Sequence, residues 1–299
     1  MFHVKHFNNK ALFVINKSKD NIYLSVKDHS VSGEEFQLIY NKELEMLETY
    51  PHPSEDKLGD YYESENYISH TDGKRNLFEK VYHVVKSMAL KRKLKLINSF
   101  HSEEKKLLDV GCGTGDFLKI ALDHNWSVSG IEPNENARLI ANQKTNNSVF
   151  NIEHLSKLEA HSFDVITLWH VLEHLPKLEE HISVFESLLK PNGRLIIAVP
   201  NFKSYDAKHY KNFWAAYDVP RHLWHFSQMS ISKLVQQKSM SVVKTVPMIF
   251  DGYYVSLLSE KYKNGFMNPI KSFLVGFKSN MKAKRSGEYS SLIYVIKKD

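Results

Sequence analysis

Cysteine is nearly absent from this chain: Cys112 is the one example in 299 residues. A lone cysteine excludes an intrachain disulfide and any cysteine-built metal site, and it suits a reducing compartment. Long apolar runs are missing too. The amino terminus, Met1-Phe2-His3-Val4-Lys5-His6, leads into no signal-peptide core. No stretch approaches the roughly 20 apolar residues of a membrane span, so a cytoplasmic location is expected. Acids thin out toward the end: from Lys261 to Asp299 nine Lys or Arg stand against two Asp or Glu, a local +7. The whole chain carries +6, so residues 1–260 sum to about −1. Otherwise the composition, 42% hydrophobic and 25% charged, is that of an ordinary globular protein long enough to bury a core and carry additions.

Three of the 12 glycines fall on alternate positions of one segment, Leu107-Leu108-Asp109-Val110-Gly111-Cys112-Gly113-Thr114-Gly115-Asp116. An apolar strand there meets an acid, a tight turn and the start of a helix. Glycine serves where backbone turns sharply or lets a ligand approach closely, and the free N–H groups at the helix start favour a polar ligand group. The spacing is Gly-x-Gly-x-Gly, not the Gly-x-Gly-x-x-Gly that receives a pyrophosphate. With Asp109 two residues before the first glycine, it suits a ligand with a cationic end and no phosphate, such as S-adenosylmethionine (SAM). Cys112 reads as a small residue of the turn. A second strand, Ser127 to Ile131, ends in Glu132-Pro133. That acid lies about 20 residues past the turn, where a nucleotide-binding unit places its ribose carboxylate.

Two further blocks follow in order: Ser162 to Leu175, containing Trp169-His170-Val171-Leu172-Glu173-His174, and Leu188 to Asn201, containing Lys190-Pro191-Asn192-Gly193. With the glycine turn and Glu132 they make the chain resemble the class I SAM-dependent methyltransferases over roughly residues 105–201. Within that family it is most similar to bacterial small-molecule enzymes of the ubiquinone and menaquinone biosynthesis type. The resemblance implies an α/β fold, a doubly wound seven-stranded Rossmann-like sheet with the last strand antiparallel and inserted between the fifth and sixth. It implies SAM as cofactor, with Asp109, Gly111, Cys112, Gly113 and Gly115 under its methionine part and Glu132-Pro133 at the ribose. Leu155 would sit near the adenine, and Trp169 and His170 on the sulfonium side. Trp169 is otherwise a plain core aromatic.

Around this domain, residues 1–75 read as an N-terminal appendage and lid, and 76–299 as the methyltransferase domain. Tyr23–Val26 and Phe36–Tyr40 are expected as short strands. Some related enzymes carry a cysteine-rich metal element there; this chain has no cysteine for it. Tyr62, Tyr67 and His70 are lid and substrate candidates. A helix is expected over 76–100, with one apolar stripe at Leu77, Val81, Val84, Val85 and Met88 and another at Leu90, Leu94 and Ile97. Insertions follow strands five and six. The first, 201–222, reads as irregular. The second, about 251–288, is basic, with Ile270, Phe273, Leu274, Phe277 and Met281 at helical spacing among lysines. Such a helix either makes a weak contact with an anionic membrane surface or covers the sheet edge with its lysines in water; the second reading is preferred.

For chemistry, His222 or His225 is a candidate general base, joined by His170, and Tyr217 and Arg221 are candidate acceptor contacts. Arg221 otherwise pairs with Asp218. Some quinone-ring O-methyltransferases bind a divalent metal just past the fourth strand. Glu173 and His174 match that pattern, but His170 stands at its first acidic position, so no metal is expected. The function that follows is methyl transfer from SAM to an oxygen, nitrogen or carbon of a small-molecule or lipid-like acceptor. The alternatives are a non-catalytic SAM-binding module and a nucleic-acid methyltransferase. The second lacks the Asn/Asp-Pro-Pro-aromatic motif and any recognition element, so no nucleic acid is expected.

Overall fold

Two sheets organise the protein, and a computed structural model describes them over residues 21–54, 57–62 and 77–299. Tyr67 and His70 lie outside the described residues. The small sheet begins with β1 (Ile22–Lys27), β2 (Glu35–Asn41) and β3 (Met46–Tyr50), all antiparallel. Short polar side chains shape its turns: Asp28 accepts from the Ser30 and Ser32 N–H groups, each at 2.8 Å, and Asn41 from those of Glu43 and Leu44 at 3.0 Å.

The large sheet follows the helix α1 (Leu77–Ile97). In chain order come β4 (Lys106–Val110), α2 (Asp116–Leu122), β5 (Ser127–Ile131), α3 (Glu135–Lys144), β6 (Val149–Phe150), β7 (Phe163–Trp169), α4 (Leu178–Leu188) and β8 (Leu189–Pro200). After these come α5 (Tyr205–Tyr210), β9 (Trp224–His225), α6 (Gln228–Gln236), β10 (Met240–Pro247), α7 (Asp251–Asn264), α8 (Pro269–Ser286) and β11 (Ser291–Lys298). The strand order is β10-β11-β8-β7-β4-β5-β6, with β11 antiparallel to both neighbours and β4 to β8 parallel. This is the doubly wound seven-stranded sheet expected, with the final strand inserted between the two before it. Adjacent residues point to opposite faces. Leu108, Ile166 and Leu195 join a core with α4 and α6, while Leu107, Val165 and Ile196 join another with Leu94, Ile97, Leu118 and Ala121.

A third core was not foreseen. Val26, Phe36, Leu38 and Leu47 of the small sheet pack with Phe202, Tyr210, Trp214 and Tyr217 from the insertion after β8, and with Val255 and Val275 of α7 and α8. The small sheet takes its fourth strand from that insertion: Leu47 pairs with His225 and Glu48 with Trp224. The segment expected as irregular thus carries α5 and two 3-10 turns, at Lys211–Phe213 and Ala215–Tyr217.

On α1, Val84 and Met88 of the first stripe are exposed and Val85 is half-buried, and among the described side chains Leu94 and Ile97 of the second stripe are buried. One expectation about helix faces is overturned. On α8, the large apolar residues do not cover the sheet edge. Ile270 is 76% exposed and Phe273 58%, with Leu274, Phe277 and Met281 also exposed, while the buried face is Ser272, Val275, Gly276, Ser279 and Ala283. The helix packs on α7 and α5 through these small residues.

Candidate functional site

The glycine turn closes β4 at the carboxyl end of the sheet, where β4 lies between β7 and β5 and the strand order reverses. Gly111, Gly113 and Gly115 all adopt left-handed backbone, at φ +68°, +55° and +77°. Their surroundings differ. A Cβ on Gly111 would meet Val171 Cγ2 at 2.4 Å, and one on Gly115 would meet Ala141 Cβ at 2.9 Å. On Gly113 it would meet no described atom within 4 Å. Close packing therefore requires two of the glycines, and the third opens a face.

Glu132 holds that open residue in place. The Gly113 N–H donates to its Oε2 at 2.8 Å and the Asn134 N–H to its Oε1 at 2.9 Å. The carboxylate is 6% exposed. Burial raises its pKa, opposed by the two backbone donors. Each oxygen keeps a lone pair for a further donor. Pro133 is exposed and its carbonyl accepts from Arg138 at 3.0 Å. Leu155 is buried in the 3-10 turn Ile152–Lys157, inside the core that contains Ile131. Cys112 is half-buried and burial pushes its thiol pKa up, so it is no thiolate nucleophile.

Asp109 is buried beneath the turn and accepts from Thr167 Oγ1 at 2.5 Å. Burial raises its pKa to about 7, against the Thr167 bond and the Lys93 charge. Lys93, from α1, sits with Nζ 4.4 Å from the centre of the Trp169 ring. Burial lowers its pKa against the pull of Asp109 and Asp251. Trp169 meets Phe117 edge-on, 5.6 Å between centroids, and its buried Nε1 has no hydrogen-bond partner among the described residues. It is both a packed aromatic and a wall of the site. Thr167 lies within the Ser162–Leu175 block but was not singled out there, and Lys93 and Asp251 fall in no motif, Asp251 reaching the site from the far insertion.

His170 closes β7 with a left-handed φ of +57°. Its Nε2 is 3.2 Å from Asp251 Oδ2 and its Nδ1 3.4 Å from Glu173 Oε1. Burial alone would lower its pKa, but the two carboxylates raise it to about 10. His170 is thus a cation at neutral pH. That corrects its expected role as a base: a ring already protonated cannot take a proton.

Beside it, Leu172–His174 forms a 3-10 turn knitted to the insertion after β8, with the Leu223 N–H donating to the Glu173 carbonyl at 2.8 Å. His174 Nδ1 lies 3.0 Å from both the Tyr62 hydroxyl and the Arg221 carbonyl. Burial and the neighbouring His222 lower its pKa to about 4. The His174 and His222 rings meet edge-on, 4.5 Å between centroids. His222 Nδ1 donates to the Ala216 carbonyl at 2.9 Å, and its Nε2 faces Asp218 Oδ2 at 3.8 Å. Glu173, His174 and His222 offer ligand atoms within 4.8 Å of one another, the spacing of a cation site. Both Glu173 oxygens are buried without a hydrogen-bond partner among the described residues, with Oε1 3.4 Å from His170 Nδ1.

The other candidates sit elsewhere. His225 is buried, with Nε2 2.9 Å from Thr49 Oγ1, whose own proton goes to the His222 carbonyl at 2.6 Å. Burial pushes its pKa well down. It is a neutral interior ring, not an accessible base. Tyr217 is 1% exposed between Trp214 and His225, so it offers nothing to an acceptor. Arg221 spends its fork on Asp218, with Nε to Oδ2 at 3.0 Å and Nη2 to Oδ1, and Nη2 also meets Ser30 Oγ at 2.8 Å. The structural pairing is the arrangement observed.

Comparisons with known proteins find methyltransferases. A ubiquinone biosynthesis O-methyltransferase of Azoarcus sp. (strain BH72) is 34% identical over 110 residues, 34% of this chain and 47% of that protein. Its counterpart in Histophilus somni (strain 2336) is 38% identical over 109 residues, 33% and 46% of the two chains. The chain thus spans about half the length of the curated relatives it matches. Among solved structures, magnesium protoporphyrin IX methyltransferase of Synechocystis PCC 6803, with S-adenosylhomocysteine (SAH) bound, superposes with a TM-score of 0.54 at 17% identity, over 82% of this chain and 100% of that one. A SAM-dependent methyltransferase of Archaeoglobus fulgidus gives 0.51 at 20% identity, over 74% and 98%. At these identities the likeness is one of fold. A family model described as a methyltransferase domain matches residues 80–244, more than half of the chain, with β4 to β8 of the large sheet and the first part of β10: the chain belongs to that methyltransferase domain family.

Proposed function

We propose that the protein transfers a methyl group from SAM to an oxygen, nitrogen or carbon of a small-molecule or lipid-like acceptor in the cytoplasm. The observation that carries this reading is the open face of Gly113, where an added Cβ would meet no described atom within 4 Å, beside the buried Glu132 carboxylate that holds its N–H. The Trp169 indole N–H, without a hydrogen-bond partner among the described residues, supports it as a donor open to a ligand. When bound, SAM supplies an electrophilic methyl on a sulfonium. The chain's residues then position and deprotonate. Glu132 accepts from ribose hydroxyls, and Asp109 orients the loop toward an ammonium, directly or through water. His222, oriented through Nδ1 by the Ala216 carbonyl, takes the acceptor's proton at Nε2, and Tyr62 lies on the same side next to His174. The curated relatives are named as O-methyltransferases of ubiquinone biosynthesis. The sharper form of this reading is therefore O-methylation of a ring hydroxyl.

Calorimetric titration with SAH tests the cofactor half. Binding is expected, weakened about a hundredfold in Glu132→Ala as bonds to a charged acceptor are lost. Labelled methyl transfer into source-cell extracts tests the other half. His222→Gln is expected to slow turnover by about 10²- to 10⁴-fold at unchanged SAH affinity. Binding without turnover on any acceptor would favour the non-catalytic module instead.

A further inference from the structure

The outward face of α8 has no function in the reading above. Its large side chains Ile270, Phe273, Leu274, Phe277 and Met281 lie on one stripe, all exposed, and Phe266 in the turn before the helix extends it. The helix cannot roll over to hide them. Its opposite face is bolted down: Ser279 Oγ donates to buried Asp206 at 2.6 Å, and Asn280 donates to the Ile249 carbonyl at 3.0 Å. Gly276 is packed so closely that a Cβ would meet the Tyr253 Cα at 2.9 Å. A contiguous apolar face of this kind marks a contact surface.

Charge selects the occupant. From Lys261 to Gly287 the chain has seven Lys or Arg and no acid. One of them, Lys271, is matched by buried Glu260 at 3.2 Å. Lys278 and Lys282 lie over the Tyr205 ring, which does not cancel their charge. Two copies meeting through this face would oppose like charges. A flat anionic surface with an apolar interior satisfies both the stripe and the cations that flank it. We infer that α8 and the turn before it form an interfacial docking element that seats the protein on an anionic lipid bilayer, with the aromatic and aliphatic stripe in the acyl boundary and the lysines at the headgroups.

Vesicle sedimentation with the full chain tests this independently of the methyl-transfer reading. Binding is expected to vesicles of phosphatidylcholine with phosphatidylglycerol and not to phosphatidylcholine alone. It should fall in about 1 M salt, where the Debye length is near 3 Å. Phe273→Ser/Phe277→Ser is expected to weaken it by about tenfold or more, as apolar area leaves the acyl layer. An unchanged thermal unfolding midpoint and unchanged SAH affinity show that the variant folds. Failure to sediment with anionic vesicles overturns the inference, as does sedimentation indifferent to the double variant. A concentration-dependent dimer that the double variant dissociates overturns it in favour of self-association.

Discussion

Gly111 and Gly113, two positions apart and alike in backbone, are expected to fail differently when given a side chain. Gly111→Ala adds a collision with Val171 at 2.4 Å to left-handed strain. The two together cost about 2–5 kcal/mol of stability. Gly113→Ala carries only the backbone term, about 1–2 kcal/mol, and its methyl enters the open face, so its larger effect falls on SAH affinity. Thermal unfolding beside calorimetry separates the two, and a Gly113→Ala protein that binds SAH normally would remove the loop from the site. Asp109 supplies a pH dependence. Its carboxyl, lifted to about 7 by burial, attracts a cationic ligand end only when ionised. SAH affinity should therefore rise as pH rises through about 7, and Asp109→Asn should flatten that rise. The glycines and Asp109 could be read from the sequence because they share one strand-turn-helix unit, and Glu132 because it ends the next strand. Lys93 and Asp251 could not, because they enter from separate elements.

At the scale of elements, α7 and α8 depend on a close crossing. A Cβ on Gly276 would meet the Tyr253 Cα and the Gly252 carbonyl at 2.9 Å, both of them backbone that cannot swing away. Gly276→Val is expected to cost at least about 1–3 kcal/mol, read as a lowered midpoint in denaturant. Unchanged stability would mean the two helices are not held where this contact puts them. The strand β3 illustrates what periodicity misses. Its Met46-Leu47-Glu48-Thr49 run reads equally as helix, and pairing with β2 on one side and β9 on the other decides the matter. The central strands β4, β7 and β8 were legible because they are largely buried on both faces and so mostly apolar.

For the whole molecule, His170 couples three regions: the end of β7, the turn at Glu173 and the start of α7. Its folded pKa of about 10 stands above the ordinary 6.5. Its contribution to stability is therefore full below about 6.5 and lost as pH rises through about 10. The unfolding midpoint should decline over that window. His170→Gln should flatten the decline while lowering the midpoint at neutral pH, where it leaves Glu173 buried and uncountered. A variant with the same alkaline slope as the native chain would mean His170 carries no extra proton in the folded state.

The sequence by itself determined the parallel sheet, its insertions and the glycine cradle, because each is a local pattern: an apolar run, a turn that only glycine can make, an acid at a strand end. Only the tertiary structure decided the third core, drawn from three distant segments, and the meeting of His222 with His174. It alone turned the α8 stripe outward. Periodicity reports that a helix has an apolar face, but not that its neighbours will grip the opposite one. On α8 that grip comes from glycine contact and from serine and asparagine hydrogen bonds, interactions whose partners lie on other elements and exist only once the chain has folded.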